Sequence, residues 1–460
     1  MTARPGSILA TYPRLMLPRA ILWTALVSLA LHPGSPVVEA KISLDAPIVV
    51  TQVPRAVKAP PAGWNAAGLI RADWFAGARV VLVSPDGQVR MLSEGFAAAC
   101  DPNISFDGQR MVFAGKKDRQ SHWRIWEMGM DGHNARPISP ENQDARSPIY
   151  ACTLFTLNSP EPWLTLVYVA REILRTETGS ATGSSLYNIK LDGQELRRLT
   201  FNPNHNFDPF QMWDGRMIYS AERYPNQPGA QTGHVGLYAI HVEGADMECY
   251  GGERGRRIQH MARDTERGLV VFVESEPAVW DGAGQLAGVE ERRPHVTYRQ
   301  LTKDTAHVYL HPSPLRDNCV LVSRRSAKSG DTCGVYSFDA DRNQGELVFD
   351  SPDYHDVQAM VVKPRNRPDG HSTVVETKFD SGILYGLNCY DTDTGMATHM
   401  QTGMVKRVRL IEGMPQSTDP APKSARVTSP MVPRRLVGEA PVEADGSFNL
   451  EVPSDIPLLL

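Results

Sequence analysis

One unit recurs along this chain, and it leaves few folds open. "DPNISFDGQRMVFAG" (101–115), "DPFQMWDGRMIYSAE" (208–222) and "HPSPLRDNCVLVSRR" (311–325) share a polar residue, a proline, a short run, a turn around aspartate and then an apolar strand. Weaker copies are "RSPIYACTLFTL" (146–157), "HMARDTERGLVVFVE" (260–274) and "HDVQAMVVKP" (355–364). The copies start about 45 to 60 residues apart, a period that belongs to stacked repeats. A second hairpin follows in most of them: "WRIWEMGMDGHNARPIS" (123–139), "SLYNIKLDGQELRRLT" (185–200), "GLYAIHVEGADMECY" (236–250), "GVYSFDADRNQGELVF" (334–349) and "ILYGLNCYDTDTG" (383–395).

Two hairpins per unit make a four-stranded sheet with apolar residues on both faces. Such sheets bury those faces only by stacking around an axis, which is the construction of a β-propeller. Sustained helical periodicity is missing, and 37 glycines and 35 prolines suit turn-rich β structure. The expected fold is therefore all-β: a β-propeller of six four-stranded blades, with seven as the alternative because the copy at 260–306 is irregular. "VVLVSPDGQVRMLS" (80–93) carries an outer hairpin alone and would complete the last blade from the N-terminal side, closing the ring. Asp107-Gly108, Asp131-Gly132, Asp192-Gly193 and Asp214-Gly215 are the expected blade turns. The insertions 171–185 and 223–235 read as loops at the propeller faces.

Asp101, Asn103, Ser105 and Asp107 also place oxygens at alternate positions, as a calcium loop does. An EF-hand loop counted from Asp101 needs Gly and Glu where Phe106 and Val112 stand, and the copy at 208 replaces two more oxygens with Phe210 and Met212. The turn is the reading these residues carry.

The N-terminus looks like an export signal. Arg4, Arg14 and Arg19 precede the 12-residue apolar run "AILWTALVSLAL" (20–31), and "VEA" (38–40) offers small residues before Lys41. Cleavage there would leave a net charge of −6 from a full-chain −4, which gives no electrostatic case for nucleic acid. Beyond this segment no apolar run is long enough to span a membrane, and the expected location is periplasmic or secreted. Export permits disulfides among Cys100, Cys152, Cys249, Cys319, Cys333 and Cys389, but six cysteines allow fifteen pairings and their spacing selects none; buried thiols are the other reading. No C-x-x-C occurs, which removes zinc ribbons, thioredoxin-like motifs and C-x-x-C-H haem attachment.

After 404 the pattern changes. "VKRVRLIEGMP" (405–415) reads as a strand, "QSTDPAPKSARVTSPMVP" (416–433) as a linker, and "RLVGEAPVEADGSFNLEVP" (435–453) as a hairpin turning at Asp445-Gly446. The blade pattern with its closing "RRLT" and "RQLT" resembles exported propellers of the TolB type. "KRVRLIEGMP" followed by "GEAPVEADGSFNLEVPSDIPL" resembles the start of the middle domain of hydrazine synthase alpha-subunit-like proteins, as do "DPFQMWDGRMIYSAERY", "HPSPLRDNCVLVSR" and "HDVQA" their propellers. That resemblance implies a propeller, then a small β domain, with haem motifs further downstream; no residue in this chain takes a haem role from it. The resulting division is 1–40 signal peptide, 41–78 extended segment, 79–404 propeller, and 405–460 linker with a truncated, β-sandwich-like start of the middle domain.

Four histidines, His205, His260, His311 and His355, stand at or just before the first strand of a unit. First strands of blades line the channel, so these imidazoles, with Asp208 and Asp356 nearby, are candidate ligands for a metal or an anion; local bonding at strand starts is the plainer reading. No G-x-S-x-G, H-E-x-x-H, G-x-x-x-x-G-K-[ST] or G-x-G-x-x-G is present, and "GGERGRR" (251–257) reads as an exposed loop. The expected function is an exported propeller that binds a ligand or partner without catalysis of its own. Alternatives are the propeller portion of a multihaem redox enzyme whose haem lies elsewhere, or a metal-dependent hydrolase or lyase. No cofactor is evident in the sequence beyond that candidate channel metal, and the expected partner is a haem-containing or other exported protein.

Overall fold

The computed structural model describes residues 44–56, 73–152, 164–176, 179–203, 205–223, 234–251, 258–276, 281–328, 331–368, 375, 378–391, 400–414 and 433–460. The expected signal peptide 1–40, most of the expected linker 416–433, most of the insertion 223–235 and most of the glycine-rich run at 251–257 lie outside them. Among the described residues no helix is long and apolar enough to cross a membrane.

Six four-stranded antiparallel blades make up most of the chain. Blades 1 to 5 occupy residues 98–137, 144–198, 206–249, 258–300 and 307–349 in order. Blades 3 and 4 join into one eight-stranded sheet through a single parallel pair, Val235 with Ile258. Blade 6 closes the ring with both ends of the propeller: Tyr354–Val361 is innermost, then Ile48–Pro54, Arg79–Val83 and Val89–Met91. The orphan hairpin at 80–93 thus completes the last blade, as its isolation implied.

Two pairings differ from the sequence reading. Ile48–Pro54, expected in an extended segment outside the propeller, is the second strand of blade 6. Ser381–Gly386, expected to finish that blade, pairs instead with Phe448–Pro453. The reason is burial: "IVVTQVP" fills both faces of a sheet packed between neighbours, whereas "SGILYG" is largely exposed. The same contrast runs through every blade. Second strands such as Leu269–Ser275 are buried throughout, while outermost strands such as Arg136–Pro137 are exposed.

Side chains from facing blades form the core. Ile104, Met111 and Phe113 of blade 1 meet Val49 and Val80 of blade 6, and Val167 and Leu186 of blade 2 meet Phe207 and Tyr219 of blade 3. Each such side chain contributes about 1.5–3 kcal/mol on burial. The 171–185 insertion is not a loop: Leu164–Thr176 and Gly179–Lys190 continue their pairing into a long hairpin. Among the described residues, the strands beyond residue 380 pair only among themselves. Arg407–Gly413 pairs with both Arg434–Pro441 and Leu458–Leu459, so Arg434–Pro441 and Phe448–Pro453 are not the two arms of a hairpin although Asp445-Gly446 does turn the chain. None of the six cysteines is in a disulfide bond.

The four expected Asp-Gly turns share one construction. In the first, the Gly108 N–H donates to the Ser105 carbonyl at 2.9 Å and the Asp107 carboxylate accepts the Gln109 N–H at 3.0 Å. Asp131, Asp192 and Asp214 accept the corresponding N–H of His133, Gln194 and Arg216. Gly108 has φ +74°, and a Cβ there would stand 3.1 Å from the backbone of Lys363 and Pro364. Gly108→Ala is therefore expected to cost more than the roughly 1–2 kcal/mol of the left-handed backbone alone. Gly95→Ala isolates that backbone component, since Gly95 has φ +76° and no neighbour within 4 Å. Urea midpoints of the two variants measure the difference; equal shifts would show that the Lys363–Pro364 contact yields freely.

Candidate functional site

The polar-proline start of each unit turns out to be a β-bulge in the innermost strand. Two residues of that strand oppose one residue of its partner in all six blades, and the first of the two is left-handed: Asp101, Ser147, Asp208, Met261, His311 and Gln358, with φ between 48° and 55°. Proline follows in four blades and alanine in two. Proline suits a bulge because it has no N–H to leave unpaired.

A non-glycine residue in this conformation costs about 1–2 kcal/mol, so six need compensation. Part of it runs around the ring, side chain to backbone. Gln358 accepts the Asp101 N–H at 2.8 Å, Asp101 accepts the Ser147 N–H at 2.9 Å, and the Met261 sulfur accepts the His311 N–H at 3.3 Å. Each of these side chains holds the equivalent residue of the next blade.

Asp101 is the most heavily bonded of the six. Arg146 reaches it with Nε at 2.6 Å and a terminal nitrogen at 3.1 Å, and Gln358 donates to it at 2.5 Å. The Arg146 guanidinium lies 4.5 Å from the Phe75 ring centre and 4.7 Å from that of Trp123. Burial alone would raise the Asp101 pKa, yet the Arg146 charge and these hydrogen bonds hold it below the usual carboxylate range.

The bulges enclose a chamber of about 80 Å³ in the channel, lined by Asp101, Ser147, Asp208, Arg263, His311 and Gln358 among others. Phe210 and Met360 line it too, and they also border a smaller, mainly apolar hollow of about 60 Å³ that includes Trp213, Asp264 and Pro368. Residues 362–368 cross that end of the ring. The Val362 N–H bonds the Pro47 carbonyl, Lys363 Nζ the Leu315 carbonyl at 2.8 Å, and the Arg365 guanidinium the Ile104 carbonyl at 2.9 Å. Burial lowers the Arg365 pKa to about 10.

Of the four candidate histidines, the structure places one in the chamber wall and a second against Asp208. His311 lines the chamber, and burial pushes its pKa down to about 4, leaving a neutral ring. His260 is fully buried beside it, with Nδ1 3.6 Å from an Asp208 oxygen. His205 lies away from them, 3.3 Å from the Ser184 hydroxyl and pushed down to about 4 by burial and by Arg171. His355 accepts the Cys333 N–H at 3.3 Å and leans on Trp74; burial lowers its pKa. Asp356 is fully buried on Gln52 and the Ser351 N–H. Among the described residues no three His, Cys, Asp or Glu side chains are grouped to hold a metal ion. Sequence reasoning missed Arg146, Arg263 and Gln358, which stand one residue before, two residues after and at the bulge of their own strands, so no common spacing marks them in the sequence.

A six-bladed β-propeller with a small β module behind it is the class that this architecture defines. Residues 403–460 match the hydrazine synthase alpha subunit middle domain. Hydrazine synthase subunit alpha of Kuenenia stuttgartiensis is 26% identical over 479 residues, covering 83% of this chain and 58% of the relative. The solved structure of Kuenenia stuttgartiensis hydrazine synthase superposes with a TM-score of 0.75 at 23% identity, over 90% of this chain and 64% of that one. A TolB structure from Agrobacterium tumefaciens follows at a TM-score of 0.40 and 13% identity, over 71% of this chain and 94% of that one, too faint a likeness to argue from. The chain resembles the hydrazine synthase alpha subunit in its 403–460 segment and in its fold, and it spans 58% of the length of the curated relative it matches.

Proposed function

We propose that the chain is an exported β-propeller scaffold that binds a partner chain through its C-terminal module and performs no catalysis of its own. The distribution of exposed apolar side chains carries this reading. Phe379 (67% exposed), Tyr385 (67%) and Leu387 (82%) stand in the module with Ile383, Met404, Leu436, Val437, Leu459 and Leu460, all open to solvent. Concentrated exposed apolar surface is the mark of an interaction site. The relative's name supports the same reading, because it is one subunit of a larger enzyme. A haem-containing or other exported protein is the partner in this scheme.

That name also speaks for a second reading, in which the chain is the propeller portion of a redox enzyme with its haem on another segment or chain. This chain's own residues do not fit a covalent haem: there is no C-x-x-C-H, and Cys100, Cys152 and Cys333 are buried in separate strands or loops. No step is therefore routed through haem.

Native mass spectrometry of the tagged chain, purified from the envelope of its own host, tests the proposal. The expected result is a mature chain beginning at Lys41, held in a heavier complex that Tyr385→Asp with Leu387→Asp dissociates. An intact N-terminus, or a monomer with unchanged elution in the variant, would overturn it. Haem absorbance in the complex, with redox turnover that needs both chains, would favour the second reading.

A further inference from the structure

We infer that the polar chamber is a binding site for a small zwitterion, such as a short α-amino acid, whose ammonium end meets Asp208 and whose carboxylate meets Arg263 and His311. Asp208 occupies a left-handed bulge, like Asp101 and Gln358, but its carboxylate accepts no bond from the bulge N–H of the next blade and meets only the His260 ring of that blade, at 3.6 Å. It makes no hydrogen bond among the described residues, and its side chain keeps 21% exposure; its nearest charged or titratable neighbour is the His260 ring. Arg263, on the following inner strand, donates one terminal nitrogen to the Ala262 carbonyl at 2.8 Å and lies 5.2 Å from the Phe210 ring centre. It forms no ion pair among the described residues, although it lines the same chamber as Asp208. His311 completes the set with a buried Nδ1 that has no hydrogen-bond partner.

Opposite charges face one hollow without a direct ion pair, and Asp208 acts on Arg263 only through space. Burying either without a partner is costly, and a pure anion would still face Asp208 as a pure cation would face Arg263. Only a ligand carrying both signs satisfies the pair. Asp101 also acts on Arg263 and His311 through space, but its own carboxylate is held by Arg146. The chamber of about 80 Å³ corresponds to a few waters at about 30 Å³ each, and so to a molecule of glycine or alanine size. Pro102, Pro148, Pro209 and Pro312 supply rigid apolar walls around it.

Calorimetry and thermal shift on the full chain test this with four probes at equal concentration: glycine, L-alanine, acetate and methylammonium. The expected result is saturable binding and a raised Tm with glycine or alanine, and neither with acetate or methylammonium. Asp208→Asn and Arg263→Gln, checked for a native melting transition, should each weaken binding about ten- to a hundredfold. No binding by either amino acid, or equal binding by acetate or methylammonium, would overturn the assignment, and this wild-type comparison stands even if a variant fails to fold. Folded variants with unchanged affinity would overturn it equally. A failure here leaves the docking role of the C-terminal module untouched, since that is read by complex mass alone.

Discussion

Arg146→Ala is expected to destabilise the propeller by about 3–5 kcal/mol, the range for removing one partner of a buried ion pair. Arg146 and Asp101 have side-chain exposures of 8% and 6%, so water cannot replace the guanidinium. The variant would leave a buried carboxylate supported only by Gln358 and the Ser147 N–H. It would also remove the cation stacked between Phe75 and Trp123, so Trp123 emission is a convenient probe of urea unfolding. Arg146→Lys keeps the charge but loses the forked contact, and should fall between wild type and alanine. The sign with pH follows from Asp101, whose folded pKa is depressed. Its contribution is present above the unfolded value near 3.8 and fades as pH falls through the folded value. The gap between wild type and Arg146→Ala should therefore narrow only in strong acid. A gap below about 1 kcal/mol at pH 7 would show that the pair is not what locks blade 1 to blade 2.

The second large effect runs the other way with pH. Burial pushes Asp264 up to about 8, and Asp356 likewise, despite hydrogen bonds from the Trp213 N–H to the first and from Gln52 and the Ser351 N–H to the second. A carboxyl with a raised folded pKa binds its proton more tightly in the native state than in the unfolded chain. Its contribution is full below the unfolded value near 3.8, declines as pH rises, and is lost once pH passes about 8. Tm should thus fall steadily from pH 5 to pH 8.5 rather than hold a plateau. Asp264→Asn is the informative variant, because one oxygen still accepts the Trp213 N–H while the other Asp264 oxygen, buried without a hydrogen bond, no longer has to carry charge. The variant should flatten the slope and exceed wild type in Tm at pH 8.5. A pH profile indistinguishable from wild type would show that Asp264 stays solvated enough to ionise normally.

The repeat announced most of the fold. Asp-Gly dipeptides in the first three units, followed by apolar strands, required hairpins, and the lone hairpin at 80–93 required a partner from the other end of the chain. Local chemistry sufficed because a turn is decided by a few adjacent residues. Strand order was harder. "ILYG" near 383 read as a blade strand and "IVVTQVP" at 48 as extended chain outside the propeller, and only packing on two faces separates a blade strand from a surface one.

The site divides in the same way. Residue type drew attention to His205, His260, His311 and His355, of which His311 lines the chamber and His260 stands against Asp208. Strand offset, not identity, decides which side chain enters the channel, and the bulge changes that offset by one residue. By itself the sequence determined an all-β repeat chain, its blade turns and the polar-proline start of each unit, because these rest on the conformational preferences of neighbouring residues. The tertiary structure alone decided that those starts are left-handed bulges, that Asp101 is neutralised by Arg146 from the next blade, and that Asp208 and Arg263 face one chamber unpaired. Those outcomes depend on how six sheets meet around an axis, and contacts between strands some fifty residues apart leave no local mark on the chain.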